Sequence, residues 1–204
     1  MRILRISDTH GQHRAFDQLP EADIIVHSGD FTFSGTENEA FDFINWFCDL
    51  PFRYKIFIAG NHDDCMYGAE GIEGLPENVY YLCNSGVEIE GLHFYGIPMF
   101  MQDFMDGVYP IFYKNIPENT DVLITHQPPR GVFDSCNNKS GTIRYGDADL
   151  MDRVRELHLK THLFGHQHEC NGMVERNGVI FSNAAVLDNK YKVISSGGAR
   201  LITS

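Results

Sequence analysis

The sequence predicts a mixed α/β fold, and three features of the chain lead to that class. The first third alternates strand-like and helix-like segments, which is typical of right-handed crossovers in a largely parallel sheet. The middle and the end carry short strand candidates separated by tight turns, which favours antiparallel strands. Five apolar runs are each followed directly by a polar cluster, so we expect a functional site where those strands end.

Three strands are predicted in the first third of the chain. Residues 2–6 alternate and include β-branched side chains, as expected of a strand. Residues 23–28 contain an apolar run without alternation, which suits a strand that is covered on both faces. Residues 54–59 are the third strand, and they lead directly into the turn at Gly60.

A helix is predicted from Thr36 to Leu50. Its amino end matches a capping box, because Thr36 is followed three residues later by Glu39. One face of this helix is apolar and contains Ala40, Phe43, Ile44 and Phe47. Pro51 ends the helix, because proline cannot continue it.

The middle of the chain is predicted to form antiparallel parts of a sheet. Residues 78–82, 86–90 and 92–96 are strand candidates separated by turn sequences. Residues 98–113 have no clear period and are rich in aromatic and methionine side chains. Such content serves packing, a dimer interface or substrate contact, and the sequence leaves these three roles open.

The last third returns to alternation between strands and a helix. Residues 120–125 are predicted to be a buried strand, and a polar loop is expected to follow as far as about Gly146. Asp147 to Leu157 is predicted to be a helix with Asp147 as its cap. Five further strands are expected, at residues 161–164, 171–175, 178–182, 191–195 and 199–203.

Length and composition bound the class of protein. The 204 residues suit one domain spanning residues 1–204, and the hydrophobic content of 43% is sufficient for a sizeable core. A formal net charge of −12 repels phosphate backbones and anionic lipid, so general nucleic-acid or membrane-surface binding is not expected. Five scattered cysteines without a C-x-x-C pair fit reduced thiols. Because the sequence shows neither a signal peptide nor a membrane span, we predict a cytoplasmic location.

The five polar clusters contain the donor atoms of a metal site. Strands that end at the same edge of a sheet bring their following loops together, so the clusters should meet in space. They supply nitrogen and oxygen donors without a thiol, from Asp8, His10, Asp30, Asn61, His62, His126, His166 and His168. Such donors suit manganese, iron, zinc or magnesium, and their number is sufficient for two ions that share a carboxylate.

Glycines stand in three of these clusters. Gly29, Gly60 and Gly165 each follow or interrupt a strand end directly beside a candidate ligand. We expect each glycine to permit a backbone turn that a residue with a Cβ atom would resist.

The order of the motifs resembles the calcineurin-like metallophosphoesterases. The order is Asp-x-His, Gly-Asp, Gly-Asn-His-Asp, Thr-His and Gly-His-x-His, and it spans residues 8 to 168. Tyr-Gly-Ile-Pro at residues 95–98 and Thr-His-Gln-Pro-Pro at residues 125–129 look similar to the small MPPED-type (metallophosphoesterase-domain-containing) phosphodiesterases. The resemblance implies an αββα sandwich: two packed mixed β-sheets flanked by helices, with a metal site at the carboxyl ends of strands.

The resemblance also assigns roles to individual residues. Two divalent ions would be the cofactors, with manganese first and iron, zinc and magnesium as alternatives. The first ion would be held by Asp8, His10 and His168. The second would be held by Asn61, His126 and His166, and Asp30 would bridge both. His62 would stabilise phosphoryl oxygens or protonate the leaving group, and Asp63 would orient His62.

The predicted activity is metal-dependent hydrolysis of a small phosphoester by a hydroxide that both ions activate. A phosphodiester is favoured, and the resemblance implies nucleotide-type substrates. A phosphomonoesterase, including a phosphoprotein phosphatase, would use the same two metals, and a non-catalytic module would bind metal or nucleotide without turnover. The candidate substrate contacts are His13, Asn61 and Arg144. The sequence does not fix the oligomeric state.

Overall fold

The computed structural model describes residues 1–16, 18–138, 141–194 and 200–203, and β-strands predominate in it. In chain order, the strands are β1 (Arg2–Ile6), β2 (Ile24–His27), β3 (Tyr54–Phe57), β4 (Val79–Tyr81), β5 (Ser85–Ile89), β6 (Leu92–Ile97), β7 (Val122–Thr125), β8 (Ser135–Asn138), β9 (Gly141–Arg144), β10 (Thr161–Phe164), β11 (Gly172–Arg176), β12 (Val179–Asn183) and β13 (Arg200–Thr203). The α-helices are α1 (Glu37–Asp49), α2 (Met101–Asp106), α3 (Tyr109–Lys114) and α4 (Ala148–Glu156).

The strands form two mixed sheets and a separate hairpin. The first sheet has the order β13-β1-β2-β3-β4, in which β1 to β4 are parallel and β13 is antiparallel to β1. The second sheet has the order β11-β12-β10-β7-β6-β5, with a parallel centre and an antiparallel strand at each edge. Strands β8 and β9 form the hairpin. The parallel centres confirm the predicted largely parallel arrangement of these strands.

The two sheets pack face to face, and helices cover their outer faces. Between the sheets, Ile56 of the first sheet and Ile124 of the second belong to one buried apolar cluster. Helix α1 covers the outer face of the first sheet through residues such as Phe43. Helices α3 and α4 cover the outer face of the second sheet through Tyr113 and Leu150. The predicted αββα arrangement is therefore confirmed.

Helix α1 begins at the predicted capping box, and this cap also holds the loop that follows β2. Glu39 N–H donates to Thr36 Oγ1 at 3.3 Å, and Thr36 N–H donates to Glu39 Oε2 at 3.1 Å. The Glu39 carboxylate also accepts hydrogen bonds from the N–H groups of Phe33 and Ser34 at 3.2 and 3.1 Å. The cap therefore fixes the backbone at Phe33, three residues beyond Asp30.

Several predictions of local structure are wrong. Residues 78–82 were expected in an antiparallel part of a sheet, but β4 pairs with β3 in parallel. The expected polar loop contains the hairpin β8–β9, whose polar strands lack the apolar alternation that reveals a strand. Residues 191–194 form an isolated bridge between Val193 and Leu187 rather than a strand. Residues 195 and 199 lie outside the described residues.

The aromatic stretch at residues 98–113 contains two helices without a visible period in the sequence. Helices α2 and α3 have six residues each, which is too short for an apolar face to repeat clearly. Tyr109 and Tyr113 are buried, whereas Phe104 and Met105 are exposed. Packing therefore accounts for part of this stretch.

Two expectations from composition concern cysteines and membrane spans. Cys48, Cys65, Cys83 and Cys170 carry free thiols, in agreement with the expectation of reduced cysteines. Within the described ranges of the chain, no helix combines the length and apolar character that crossing a membrane requires.

Replacement of Thr36 by alanine is expected to lower the free energy of unfolding by about 1 kcal/mol, because the substitution removes the hydroxyl that caps α1. Urea denaturation followed by circular dichroism measures this change. Thr36→Ser is the matched control, because serine keeps the capping oxygen. Equal unfolding midpoints for the two variants would contradict the role assigned to the cap.

Candidate metal centre

The five polar clusters meet where strands of both sheets end. Strands β1, β2 and β3 of the first sheet and β7 and β10 of the second are each followed by one cluster. Backbone hydrogen bonds join neighbouring loops. Asp8 N–H donates to Gly29 O at 2.9 Å, and Gly165 N–H donates to His126 O at 3.2 Å. The convergence predicted for the carboxyl ends of the strands is therefore present.

Asp30 lies at the centre of the clustered side chains. Its Oδ2 atom is 3.3 Å from His126 Nε2 and 3.7 Å from His10 Nε2. Its Oδ1 atom accepts a hydrogen bond from His62 N–H at 2.8 Å. Three groups of donor atoms, each lying within 4.8 Å of one another, share these residues: Asp8–His10–His168, His10–Asp30–His62 and Asp30–His126–His166. The Asp30 carboxylate thus stands between two sets of candidate ligands.

Asn61 and His168 complete the cluster on opposite sides. Asn61 Oδ1 is 3.1 Å from His126 Nε2 and 2.9 Å from His166 Nδ1. His168 Nε2 is 3.5 Å from Asp8 Oδ1. The structure therefore brings together all seven residues predicted to bind metal, and their role as ligands stays a prediction.

The imidazole rings are oriented to receive a cation. Four rings place Nδ1 against a backbone carbonyl oxygen: His10 at Thr32 (3.2 Å), His62 at Phe33 (2.9 Å), His126 at Ser28 (2.8 Å) and His168 at Leu187 (3.1 Å). Because a carbonyl oxygen only accepts, Nδ1 carries the hydrogen, and Nε2 of a neutral ring presents a lone pair.

Two of these lone pairs oppose each other in the group formed by Asp8, His10 and His168. His10 Nε2 and His168 Nε2 are 3.1 Å apart, although neither nitrogen has a hydrogen to donate when the ring is neutral. Opposed lone pairs repel, and a cation between them turns the repulsion into attraction. A metal-binding imidazole commonly donates its other ring N–H to a carbonyl oxygen, as these rings do. The residues present therefore fit a divalent metal ion.

Burial and charge set the protonation of the central groups. Burial lowers the pKa of His10 and that of His166 to about 4, so both rings are neutral at pH 7. Burial also disfavours the charged form of His126, but the Asp30 carboxylate outweighs it and raises the His126 pKa to about 9. Although burial alone would raise the Asp30 pKa, the His126 imidazolium lowers it. Asp30 is therefore ionised and strongly attracts positive charge.

Four of the predicted ligands have a left-handed backbone conformation. Their φ angles are +58° at Asp8, +42° at His10, +58° at Asp30 and +68° at His166. For residues other than glycine, this conformation costs about 1–3 kcal/mol each. Backbone hydrogen bonds such as His10 N–H to Asp30 O at 3.0 Å hold the strained loops in place. Placing these four side chains at the strand ends therefore lowers the stability of the fold.

The glycines of the motifs serve close packing more than unusual backbone angles. Gly29 has a φ of +95°, as the sequence-based expectation requires, whereas Gly60 and Gly165 do not have positive φ angles. A Cβ atom on Gly60 would overlap Asp30 Oδ1, and a Cβ atom on Gly165 would overlap Asp8 Oδ2. The expectation that a Cβ atom would be resisted therefore holds at all three positions, through a positive φ angle at Gly29 and through the close approach to a candidate ligand carboxylate at Gly60 and Gly165.

The predicted orientation of His62 by Asp63 is wrong. The carboxylate of Asp63 is fully buried and accepts hydrogen bonds from the N–H groups of Gly60, Asp30 and Thr32 at 2.8–2.9 Å. Burial and the Asp30 charge raise the pKa of Asp63 to about 7, while the N–H groups of Gly60 and Thr32 oppose that shift. Asp63 therefore joins the loops after β2 and β3, and the His62 ring is held by a backbone carbonyl instead.

Two predicted substrate contacts have other partners. His13 is buried, with Nε2 3.1 Å from Asp42 Oδ2 and its ring packed against Trp46. Contact between His13 and a substrate is therefore a wrong prediction. Arg144 Nη1 forms an ion pair with Asp134 Oδ1 at 2.8 Å. This pairing engages the guanidinium, and its contact with a substrate stays a prediction.

Two aromatic side chains beside the cluster were not predicted from the sequence. The ring of Tyr191 lies 5.0 Å from that of His10 and 5.5 Å from that of His168, measured between centroids. The ring of Phe33 lies 5.4 Å from that of Tyr191 and is 51% exposed. The position of Phe33 beside the site could have been predicted, because Phe33 follows Asp30 by only three residues. Tyr191 lies outside every motif, and its φ of +56° has no signal in the sequence.

Comparison with known families agrees with the fold and the site. A family model described as calcineurin-like phosphoesterase matches residues 1–170. The chain therefore belongs to the calcineurin-like phosphoesterase family, which supports a phosphoester hydrolase that uses divalent metals.

Relatives in two animals cover most of the chain. It is 31% identical over 235 residues to metallophosphoesterase domain-containing protein 1 of Homo sapiens, covering 95% of this chain and 68% of the relative. It is 34% identical over 217 residues to a UPF0046 protein of Caenorhabditis elegans, covering 94% of this chain and 77% of that protein. The predicted similarity to the MPPED-type proteins is confirmed.

A solved structure shares the fold over nearly its whole length. The phosphopantetheinyl hydrolase from Mycobacterium tuberculosis aligns with a TM-score of 0.62 over 98% of this chain and 95% of that chain. The two sequences are 14% identical, so this likeness concerns the fold alone.

Replacement of Gly60 by alanine is expected to weaken manganese binding roughly 10- to 100-fold, because the added Cβ atom would displace Asp30 and come within 2.8 Å of His126 Cε1. Isothermal titration calorimetry of the purified, metal-stripped protein measures the change. Gly71→Ala is the matched control, because no atom lies within 4 Å of a Cβ atom at that position. Unchanged affinity in Gly60→Ala would show that the close approach to Asp30 is not needed.

Proposed function

We propose that the protein hydrolyses a small phosphodiester with two divalent ions as cofactors. One observation carries this proposal: the Asp30 carboxylate belongs to two groups of donor atoms, one with His10 and His62 and the other with His126 and His166, and His10 also belongs to a third group with Asp8 and His168. Asp30 Oδ2 is near His10 on one side and near His126 on the other. A carboxylate in that position is suited to bridge two cations, which is the arrangement that in-line displacement at phosphorus uses.

The proposed ligands divide at Asp30. The first ion would be held by Asp8, His10 and His168, and the second by Asn61, His126 and His166, with Asp30 common to both. Manganese is proposed first because nitrogen and oxygen donors without a thiol suit it, and iron, zinc and magnesium are the alternatives. When bound, the ions would lower the pKa of a water molecule and offset the charge that develops on the phosphoryl group.

His62 is proposed as the catalytic imidazole. Its Nδ1–H donates to Phe33 O at 2.9 Å, which fixes the ring, and the residue is half-buried whereas His10 and His126 are fully buried. A protonated Nε2 at the open side of the ring could donate to a phosphoryl oxygen or to the leaving group. His62 also lies within ligand distance of His10 and Asp30. Metal content in a His62 variant therefore separates an acid role from a ligand role.

The surroundings of the cluster support a small substrate with a flat ring. A pocket of about 290 Å³ lies beside His166 and His168, and Tyr145 and Tyr191 are among its other lining residues. Aromatic side chains stack on nucleobases and other planar groups. A nucleotide-type phosphodiester is consistent with this lining.

With manganese, the protein is expected to hydrolyse bis(p-nitrophenyl) phosphate faster than p-nitrophenyl phosphate. This expectation rests on the resemblance of the motifs at residues 95–98 and 125–129 to the MPPED-type phosphodiesterases. His62→Ala is expected to keep its manganese and lose about 10²- to 10⁴-fold in kcat. Absorbance assays measure turnover, and elemental analysis measures bound manganese.

Matched variants decide between the alternatives. Asp30→Asn should lose manganese and turnover together, whereas His93→Ala, at a half-exposed histidine whose Nδ1 is hydrogen-bonded to Asp121 Oδ2, should lose neither. Preference for the monoester would favour a phosphomonoesterase over the proposal. Manganese binding without hydrolysis of either ester would favour the binding module, and loss of manganese in His62→Ala would make His62 a ligand.

Replacement of Tyr191 by asparagine is expected to raise the KM for bis(p-nitrophenyl) phosphate roughly 2- to 10-fold, which corresponds to the loss of one aromatic contact. Asparagine tolerates the left-handed backbone at this position, so the change removes the ring without adding strain. Tyr191→Phe keeps the ring and should keep the KM. A KM that is the same in all three proteins would remove Tyr191 from the substrate site.

A further inference from the structure

A second cleft, of about 570 Å³, lies between helix α4, the hairpin β11–β12 and the segment that follows β7. Its lining combines arginine side chains with apolar ones, among them Arg130, Val132, Val154, Arg155, Arg176 and Phe181. The proposed metal ligands do not line it. The volume falls within the range of about 300–1,000 Å³ that is common for small-molecule sites.

Two arginines in this cleft keep their positive charge unneutralised. Arg130 Nη1 donates to Gly146 O at 3.3 Å, and Arg176 Nη1 donates to Gly131 O at 3.0 Å. Within the part of the chain that the structure describes, neither guanidinium has a carboxylate at ion-pair distance. Each guanidinium is thus held in place by one backbone carbonyl and keeps further N–H groups for a ligand.

Other arginines of the chain contrast with this pair. Carboxylate partners are present for Arg14, Arg53, Arg144, Arg153 and Arg155. Aspartate and glutamate together number 28 against 16 lysines and arginines, so a carboxylate partner is the expected surrounding of an arginine here. The two guanidiniums at this cleft therefore differ from those five arginines in having no carboxylate partner among the described residues.

The floor of the cleft is apolar. Val132, Val154 and Phe181 line it and are each at least 95% buried. Among its lining residues there is no aspartate or glutamate. Two carboxylates contact lining residues, and both are paired with an arginine: Asp152 with Arg155 at 2.8 Å, and Asp134, which accepts from Gly131 N–H at 2.9 Å, with Arg144. A ligand that enters the cleft meets positive charge at the rim and apolar side chains beneath it.

We propose that this cleft binds a small organic anion that carries an apolar group. The anionic end, a carboxylate, phosphate or sulfonate, would accept hydrogen bonds from Arg130 and Arg176, whose planar guanidiniums match the geometry of such oxygens. The apolar part would lie on Val154 and Phe181. A nucleic acid does not suit the cleft, because the net charge of −12 on the chain repels an extended polyanion.

Fluorescent probes that differ in one group test the proposal. Anilinonaphthalene sulfonate is expected to bind the full-length protein at one site and to be displaced by octanoate, octyl phosphate or both, which also identifies the preferred headgroup. Phenylnaphthylamine has the same rings without the sulfonate and should bind much more weakly. The combined variant Arg130→Ala and Arg176→Ala should weaken sulfonate binding at least tenfold, because each charge-assisted contact is worth about that factor.

Controls keep the experiment specific to this cleft. Arg53→Ala removes an exposed, ion-paired arginine elsewhere and should leave binding unchanged. Replacement of Arg130 and Arg176 by lysine keeps the charge and should restore part of the affinity, and circular dichroism checks that each variant is folded. Equal binding of both probes, or equal binding by the wild type and the combined alanine variant, would overturn the proposal. Probe binding that disappears as the wild type dimerises would also overturn it, in favour of a contact between copies of the chain.

Discussion

The buried carboxylate of Asp63 is the constraint on which the arrangement of the candidate site depends. It accepts hydrogen bonds from backbone N–H groups on two loops, at Gly60 of its own loop and at Asp30 and Thr32 of the loop after β2. One hydrogen bond stabilises by about 0.5–1.5 kcal/mol, and by more when its acceptor is ionised, so several of them can hold a strained loop. The left-handed conformation of Asp30 is maintained in this way. Because this backbone is held, the distance of 3.3 Å between Asp30 Oδ2 and His126 Nε2, which follows a strand of the second sheet, is set as well.

A chain of contacts leads from the first turn of α1 to the imidazole of His62. Glu39, which caps the helix, binds the N–H of Phe33, and the carbonyl of Phe33 binds His62 Nδ1. The orientation of this ring therefore depends on a helix cap that lies outside the polar cluster. Local helix energetics and the chemistry of the site are joined through a single residue, Phe33.

Much of this architecture could be predicted from the sequence, because its signals are local. The capping box at Thr36 and the polar residues that follow apolar runs identify themselves within a few positions. The hydrogen-bond partners of Asp63 could not be predicted, because a carboxylate that is adjacent to a histidine in sequence need not contact that histidine in the fold. The prediction that His13 contacts a substrate was wrong for the same reason. It was based on the position of His13 near the first loop, but packing directs the ring to Asp42 and Trp46. Tyr191 lies beside the site because its backbone has a positive φ angle, and no pattern in the sequence predicts that angle.

The candidate ligands come from distant parts of the chain, and this separation makes ion binding a property of the whole fold. Asp8 and His166 are 158 positions apart, yet His166 N–H donates to the Asp8 carboxylate at 3.0 Å. An unfolded chain cannot hold such groups together, because closing so long a loop is entropically unfavourable. An ion that binds only the native state shifts the folding equilibrium by mass action, by about 2.7 kcal/mol at a hundredfold excess over its Kd. The concentration of available metal would then affect the stability of the folded protein as well as its activity.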